Sequence, residues 1–151
     1  DHRFRNIGNS HRDRVFTWAQ KEYKNLYAMK AAGAVVPRPF HVYKNILVMQ
    51  YMGWRYRPYP PVRELPPQDP KDFLDQLIES IKAYRSKNLS HGDLSEYNIL
   101  NVREKPYIID VGQAVPKGHP MYDELHKRDM KNMYRYWKKQ IRGLEKEVFD
   151  Q

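Results

Sequence analysis

Three side chains in this sequence combine oxygen chemistry with a telling interval. Asp93 stands five positions before Asn98 in Ser90-His91-Gly92-Asp93-Leu94-Ser95-Glu96-Tyr97-Asn98-Ile99-Leu100, and Asp110 closes the run Tyr107-Ile108-Ile109 ahead of Val111-Gly112. Strands over 98–102 and 107–111, turning through Arg103-Glu104-Lys105-Pro106, are expected to face Asn98 with Val111 and Ile99 with Asp110. Opposed Cα atoms then lie roughly 4.5–5.5 Å apart. The Asn98 amide and the Asp110 carboxylate would share one open end of the hairpin, with Asp93 entering it on the preceding loop. Two oxygen ligands on adjacent strands suit a hard cation such as Mg²⁺, which also takes phosphate oxygens and waters. A third carboxylate beside them can orient a hydroxyl and accept its proton. That is the equipment of phosphoryl transfer, where positioning and charge neutralisation supply most of the catalysis.

Such groups need elements to hold them. A helical period runs from Asp13 or Arg14 through Val15, Trp18, Ala19, Tyr23, Leu26 and Met29, with Ser10 or Asp13 as cap and Gly33 as its end. Glu22 borders that stripe. Pro37 and Pro39 break the chain, and Phe40–Lys44 and Ile46–Tyr51 read as strands around Asn45. The unbroken run Ile46-Leu47-Val48-Met49 predicts a strand buried on both faces. Five prolines within 53–68 exclude a helix or central strand there, so the segment reads as a linker. Asp69-Pro70 is a cap followed by proline at the first helical position. Phe73, Leu74, Leu77, Ile78, Ile81 and Tyr84 then mark one face of a helix ending near Asn88. A last helix from near Pro120 carries Tyr122, Leu125, Met133, Tyr134, Trp137 and Ile141, with Gly143 interrupting it.

An Asp, four residues, an Asn, then an apolar strand ending in a second Asp is the spacing of the protein-kinase catalytic and metal loops. The sequence resembles one branch in particular, the RIO family of atypical protein kinases, most closely its first subfamily in an archaeal-looking version. The resemblance rests on His91 to Leu100, on Ile108-Ile109-Asp110-Val111-Gly112-Gln113-Ala114-Val115, on Trp18 to Leu26, and on Leu47-Val48-Met49-Gln50-Tyr51-Met52-Gly53. It implies an α+β, two-lobed, protein-kinase-like fold. Residues 1–52 would form part of the small lobe, and residues 53–151 a mainly helical large lobe with the catalytic and metal loops. Asp93 would be the catalytic aspartate. Asn98 and Asp110 would hold the metal, and Asp110 would also accept a phosphoryl group. Glu22 would be the helix glutamate that pairs with a phosphate-binding lysine, and the Gln50 and Met52 backbones would contact adenine. ATP and Mg²⁺, with Mn²⁺ as a substitute, are the implied cofactors. The implied activity is that of a serine protein kinase or ATPase in maturation of the small ribosomal subunit, with a pre-ribosomal particle or rRNA as partner.

The family's Gly-rich phosphate loop and strand lysine precede the regulatory helix. No Gly-x-Gly run and no Val-Ala-x-Lys-like strand occurs before Ser10, so the chain is expected to begin after them. Gly92 stands where ordinary kinases carry arginine, and the stretch from Gly112 to Tyr122 is too short for a long activation loop. Both features favour the RIO branch. Small-molecule phosphotransferases of the aminoglycoside- or choline-kinase kind share the His-Gly-Asp-Leu start. Ser95-Glu96-Tyr97 and the small size after Asp110 argue against them. A docking module that kept the fold is the non-enzymatic alternative.

Composition bounds the rest. A chain of 151 residues fits one domain. Hydrophobic residues at 40% and aromatics at 13% exclude disorder of the whole chain. The formal charge of +9 suits polyanionic partners. The absence of cysteine excludes disulfides, Cys-ligated zinc and a Cys nucleophile, and no apolar run reaches the roughly 18 residues needed to span a bilayer. These features, with no signal- or transit-like start, predict a cytoplasmic protein. His91 reads as a structural histidine, and Arg55-Tyr56-Arg57 with Tyr59 as part of a packed Pro-rich crossing.

Overall fold

The structure, a computed structural model, describes residues 11–150. Expectations that fall on Ser10 and the segment before it lie outside those residues. The elements in order are α1 (His11–Ala31), β1 (Pro39–Tyr43), β2 (Ile46–Met49), β3 (Gly53–Trp54), β4 (Arg57–Pro58), α2 (Pro70–Ser86), β5 (Leu89–Ser90), β6 (Ile99–Val102), β7 (Lys105–Ile108), β8 (Val115–Pro116) and α3 (Tyr122–Gln140). Single 3-10 turns cover Val111–Gln113 and Lys146–Phe149. The strands form four antiparallel pairs, β1 with β2, β3 with β4, β5 with β8, and β6 with β7.

The amphipathic helix α2 is where its pattern puts it. The Asp69 carboxylate accepts from the Asp72 amide at 3.1 Å, and Pro70 begins the helix. All six residues of the predicted face are buried, and Phe73 and Tyr84 are fully so. Phe73 meets Trp137 of α3 with ring centroids 5.7 Å apart, so α2 and α3 close over one core. Leu26 and Met29 bring the last turns of α1 into the same core. At the other end of α1 the expected apolar stripe opens, and Trp18 is exposed.

The burial of β2 differs from expectation. Leu47 and Met49 pack on the core, while Ile46 and Val48 face outward and are exposed. The cause is one-sided packing: among the described residues β1 and β2 pair alone and one face of the pair meets the core, so side chains alternate between core and solvent.

The β6–β7 hairpin also departs from the predicted register. Ile99 opposes Ile108 and Val102 opposes Lys105, so the strands are shifted by two residues and Asp110 lies beyond the paired region. The turn is Arg103-Glu104 alone, with φ of 52° and 70°. Two consecutive left-handed residues make the tight hairpin turn normally signalled by Asn-Gly. Side chains offset its backbone cost. Asn101 Oδ1 accepts from the Glu104 amide at 2.9 Å, and Glu104 Oε1 accepts from the amides of Gln68 and Asp69 at 2.8 and 3.0 Å. Lys105 and Pro106 are therefore strand residues. Pro106 is tolerated because it opposes Asn101, whose own amide points away from β7 to the Pro60 carbonyl at 2.9 Å.

That last bond changes the reading of the proline-rich segment. The Val62 amide also donates to the Ile99 carbonyl at 2.8 Å, so residues 60–62 run along the free edge of β6. Residues 60–62 are a seam packed on the hairpin, with Val62 fully buried, whereas Trp54 to Pro58 are exposed, so Arg55-Tyr56-Arg57 are not packed as expected. The pair β5 and β8 was not foreshadowed. It joins the residues just before His91 to those just after the Val111–Gln113 turn, and so closes both loops at their outer ends. Among the described residues, no helix is long and apolar enough to cross a membrane.

Candidate active site

His91 organises the loop that carries Asp93. It is fully buried, and its Nδ1 accepts from the Asp93 amide at 3.1 Å. Its Nε2 lies 3.0 Å from the Ile109 carbonyl, which can only accept, so Nε2 carries the proton. One imidazole thus spans from the backbone of Asp93 to the residue before Asp110.

Gly92 makes the bend. Its φ is +84°, and a Cβ there would come within 2.8 Å of the Gln113 carbonyl oxygen. Only glycine fits so close an approach of the Asp93 loop to the Val111–Gln113 turn.

Three side chains of α3 hold the loop from below. Asp129 accepts from the amides of Gly92 at 2.8 Å and Leu94 at 2.9 Å. Arg128 donates to the Gly92 carbonyl at 2.7 Å, and Asn132 donates to the Leu94 carbonyl at 3.5 Å. Both polar backbone groups of Gly92 and of Leu94 are thereby satisfied from one helix. Asp129 is fully buried, and burial pushes its carboxyl pKa up despite the amides and Arg128. Tyr84 beneath it is raised too, first by burial and then by the Asp129 charge. Sequence reasoning missed these residues. The available signal was a charge at Asp129 inside the apolar stripe of Tyr122, Met130, Met133 and Trp137.

From the other side, α1 holds the segment that follows Asp110. Asn25 Nδ2 donates to the Val111 carbonyl at 2.9 Å and to the Ala114 carbonyl at 3.3 Å. One turn earlier, Glu22 is half-buried, and its carboxyl pKa is raised by burial first and by the Asp110 charge second. Asp110 itself has φ 57° and ψ 57°, a conformation that Asp tolerates better than most residues.

These arrangements bring five of the six predicted site residues to one hollow. A cleft of about 640 Å³ is lined by Glu22, Gln50, Met52, Asn98 and Asp110, with Met49, Tyr59 and Leu100 among its other walls. The sixth, Asp93, lines an adjoining hollow of 420 Å³ that shares Glu22 and Asp110 with the first. Asn98 connects the two. Its Nδ2 donates to the Asp93 carbonyl at 2.8 Å and approaches the Asp93 carboxylate at 3.4 Å, which leaves Oδ1 as a free acceptor.

At the far end of the cleft the Gln50 amide donates to the Arg38 carbonyl at 2.8 Å, and the Met52 carbonyl accepts from the Tyr59 amide at 3.0 Å. The Gln50 carbonyl and the Met52 amide are left, one acceptor and one donor two residues apart.

The charge of the hollow is opposite to that of the chain. Glu22 and Asp110 line both hollows and Asp93 the second, and among the described residues neither wall includes a lysine, arginine or histidine. A negative, half-enclosed pocket in a chain of net charge +9 favours a bound cation. Among the described residues, no group of three or more His, Asp or Glu forms a cage by itself. The donor set fits a hard ion that completes its shell with phosphate oxygens and waters, as Mg²⁺ does.

Known structures share this architecture. Two crystal structures of the Rio2 kinase from Chaetomium thermophilum, one of them an ADP/Mg²⁺-phosphoaspartate complex, superpose with TM-scores of 0.71 and 0.70. Identity is 25% and 26%, over 87% of this chain and 42% and 41% of theirs. The fold is α+β and protein-kinase-like. The RIO domain pattern matches residues 1–149, and the chain belongs to the RIO family. It is 38% identical to the RIO-type serine/threonine-protein kinase Rio1 of Thermoplasma acidophilum, over 92% of this chain and 73% of that protein. It is 34% identical to the Rio1 of Haloferax volcanii, over 93% of this chain and 48% of that protein. The chain thus spans about half to three quarters of these archaeal relatives.

Proposed function

We propose that this chain carries the catalytic cleft of an ATP- and Mg²⁺-dependent phosphotransferase, acting as a serine protein kinase or ATPase of the RIO type. The observation that carries the reading is the pair of adjoining hollows that share Glu22 and Asp110, one lined also by Asn98 and the other by Asp93. Asn98 Oδ1 and the Asp110 carboxylate would hold Mg²⁺, or Mn²⁺ in its place, which supplies charge neutralisation for the transferring phosphoryl group. Asp93 would orient a serine hydroxyl or a water and accept its proton. The Gln50 carbonyl and the Met52 amide match the donor and acceptor on the adenine edge. Asp110 would also serve as a transient acceptor: its carboxylate attacks the γ-phosphorus, ADP leaves, and water later cleaves the acyl phosphate. Residues 1–52 would contribute the small-lobe side of the cleft, and residues 53–151 the catalytic side.

The setting follows from family resemblance and charge. A basic RIO-type chain fits maturation of the small ribosomal subunit in the cytoplasm, with a pre-ribosomal particle or its rRNA as partner. The test is calorimetric titration of ADP with and without Mg²⁺, followed by ATP turnover. Wild type should bind with a Mg²⁺-dependent affinity that Asp110→Ala and Asn98→Ala abolish, and Asp93→Ala should abolish turnover. If Asp93→Ala and Asp110→Ala both keep wild-type ATP consumption at matched stability, the assignment is wrong.

A further inference from the structure

A second cavity, of 490 Å³, opens between the end of α2, helix α3 and the C-terminal turn Lys146–Phe149. It shares no lining residue with the cleft. On α3, the residues that hold the catalytic loop are Arg128, Asp129 and Asn132. Lys127, Met130, Lys131 and Tyr134 line the cavity from the opposite side of the helix.

The cavity is rich in uncompensated cations. Arg85, Lys127, Lys131 and Lys146 converge on it from α2, α3 and the C-terminal turn, against the carboxylates of Asp123 and Asp150. Among the described residues, none of these six groups makes an ion pair within 4 Å. Arg85 is the most unusual of them. Its guanidinium lies 4.5 Å over the Tyr122 ring, and its Nη1 is buried without a hydrogen-bond partner. Among the described residues, the Arg85 guanidinium also has no carboxylate within 4 Å, so its charge is left for an anion that enters the cavity.

We propose that this cavity binds a phosphomonoester dianion, with Arg85 as the central donor and Lys127, Lys131 and Lys146 as flanking charges. Cations arriving from three separate elements call for a ligand with more than one face of acceptors. A phosphate group offers three oxygens and nearly two charges, where a carboxylate offers two and one. Arg is the side chain that best reads such a group. Met130, Tyr134 and Phe149 supply an apolar wall beside it, against which the carbon skeleton of a phosphate ester could lie. The ring of Phe149 meets Tyr134 edge-on at 6.1 Å, which fixes that wall in place. The site is independent of the nucleotide reading of the cleft.

The experiment is a Mg²⁺-free NMR titration of the chain with two probes, sodium phosphate and O-phospho-L-tyrosine, following backbone amides. Saturable shifts at the amides of Lys127, Lys131, Tyr134 and Lys146 are expected. Arg85→Gln should weaken binding by about tenfold, the fold-change carried by one charge-assisted hydrogen bond. The charge-reversed double variant Lys131→Glu/Lys146→Glu, at two exposed positions, should weaken it by at least as much. Tighter binding of phosphotyrosine identifies a phosphorylated side chain or metabolite as the ligand source, and tighter binding of phosphate a free ion. If Arg85→Gln fails to fold, the double variant decides. Shifts that do not saturate, or saturable binding left unchanged by the double variant, would overturn the site.

Discussion

Replacing Asp129 by alanine removes the acceptor of two buried amides. Gly92 N and Leu94 N each lose a bond of 2.8–2.9 Å to a carboxylate, in a place that water does not reach. A buried donor left unsatisfied costs about 1–3 kcal/mol. Against that, removing the carboxylate relieves its own burial, which is what pushes its pKa up. The balance is a loss of about 2–4 kcal/mol, with the Arg128 guanidinium left beside an uncompensated pocket. In a chain of this size each kcal/mol moves the melting temperature by about 2–4 °C, so a drop near 10 °C is expected by circular dichroism at pH 7. Asp129→Asn, with one acceptor oxygen retained, should lose less. The two variants also separate the charge from the bonds. The folded-state pKa of Asp129 lies above the unfolded one, so between the two values the folded protein binds more protons than the unfolded chain. Wild-type stability should therefore fall as pH rises through that window, a slope that Asp129→Asn lacks. A melting temperature within about 2 °C of wild type for Asp129→Ala would refute the idea that α3 holds the Asp93 loop through this side chain.

The same sign applies to Glu22, whose carboxyl pKa is raised by burial and by Asp110: Glu22→Gln should gain stability relative to wild type as pH rises through the raised value, in urea unfolding. In Asp110→Asn the Glu22 carboxyl should titrate closer to its ordinary range, as read by ¹³C NMR. Gly92→Ala meets both a φ of +84° and a contact of 2.8 Å, so it should cost about 2 kcal/mol or more in urea unfolding and depress turnover beyond that loss. Glu104→Ala frees the amides of Gln68 and Asp69 at the start of α2, and should cost about 1–2 kcal/mol with faster hydrogen exchange at those two amides.

Legibility in the sequence followed the range of the forces involved. Helix α2 was readable because its cap, its proline and its apolar period are all local, and burial of Phe73 through Tyr84 follows from them. The motif residues were readable because the intervals between Asp93, Asn98 and Asp110 belong to loops of fixed length. The hairpin register was not, because Arg103-Glu104 is a tight turn without Asn or Gly. Its left-handed residues are held by Asn101, while Glu104 in turn caps the start of α2 more than thirty positions away. The exposed face of β2 was misjudged for a related reason. A four-residue apolar run cannot say whether both faces of its strand will be covered, and among the described residues only the face of Leu47 and Met49 is. Asp129 and Asn25 escaped notice because each acts on a backbone carbonyl or amide far away in the chain, and backbone groups leave no letter in a sequence.

The placement of charge links these observations. The three carboxylates of the two adjoining hollows cannot relieve one another, and among the described residues no basic side chain lines either hollow to relieve them. Left alone they would swing apart, since exposed side chains of like charge gain by separating. What prevents this is backbone architecture. His91 fixes the Asp93 amide relative to Ile109, Asn25 fixes the turn that follows Asp110, and Glu22 sits on the same helix one turn from Asn25. The repulsion is thus built into elements that hydrogen bonds and the core already hold, and the Asp110 charge adds to burial, the larger cause, in raising the pKa of Glu22. A divalent ion between Asn98 and Asp110 would release that strain. Addition of Mg²⁺ alone should accordingly lower the Glu22 pKa toward the ordinary carboxylate range, and a Glu22 titration unmoved by Mg²⁺ would mean that the ion does not sit beside Asp110.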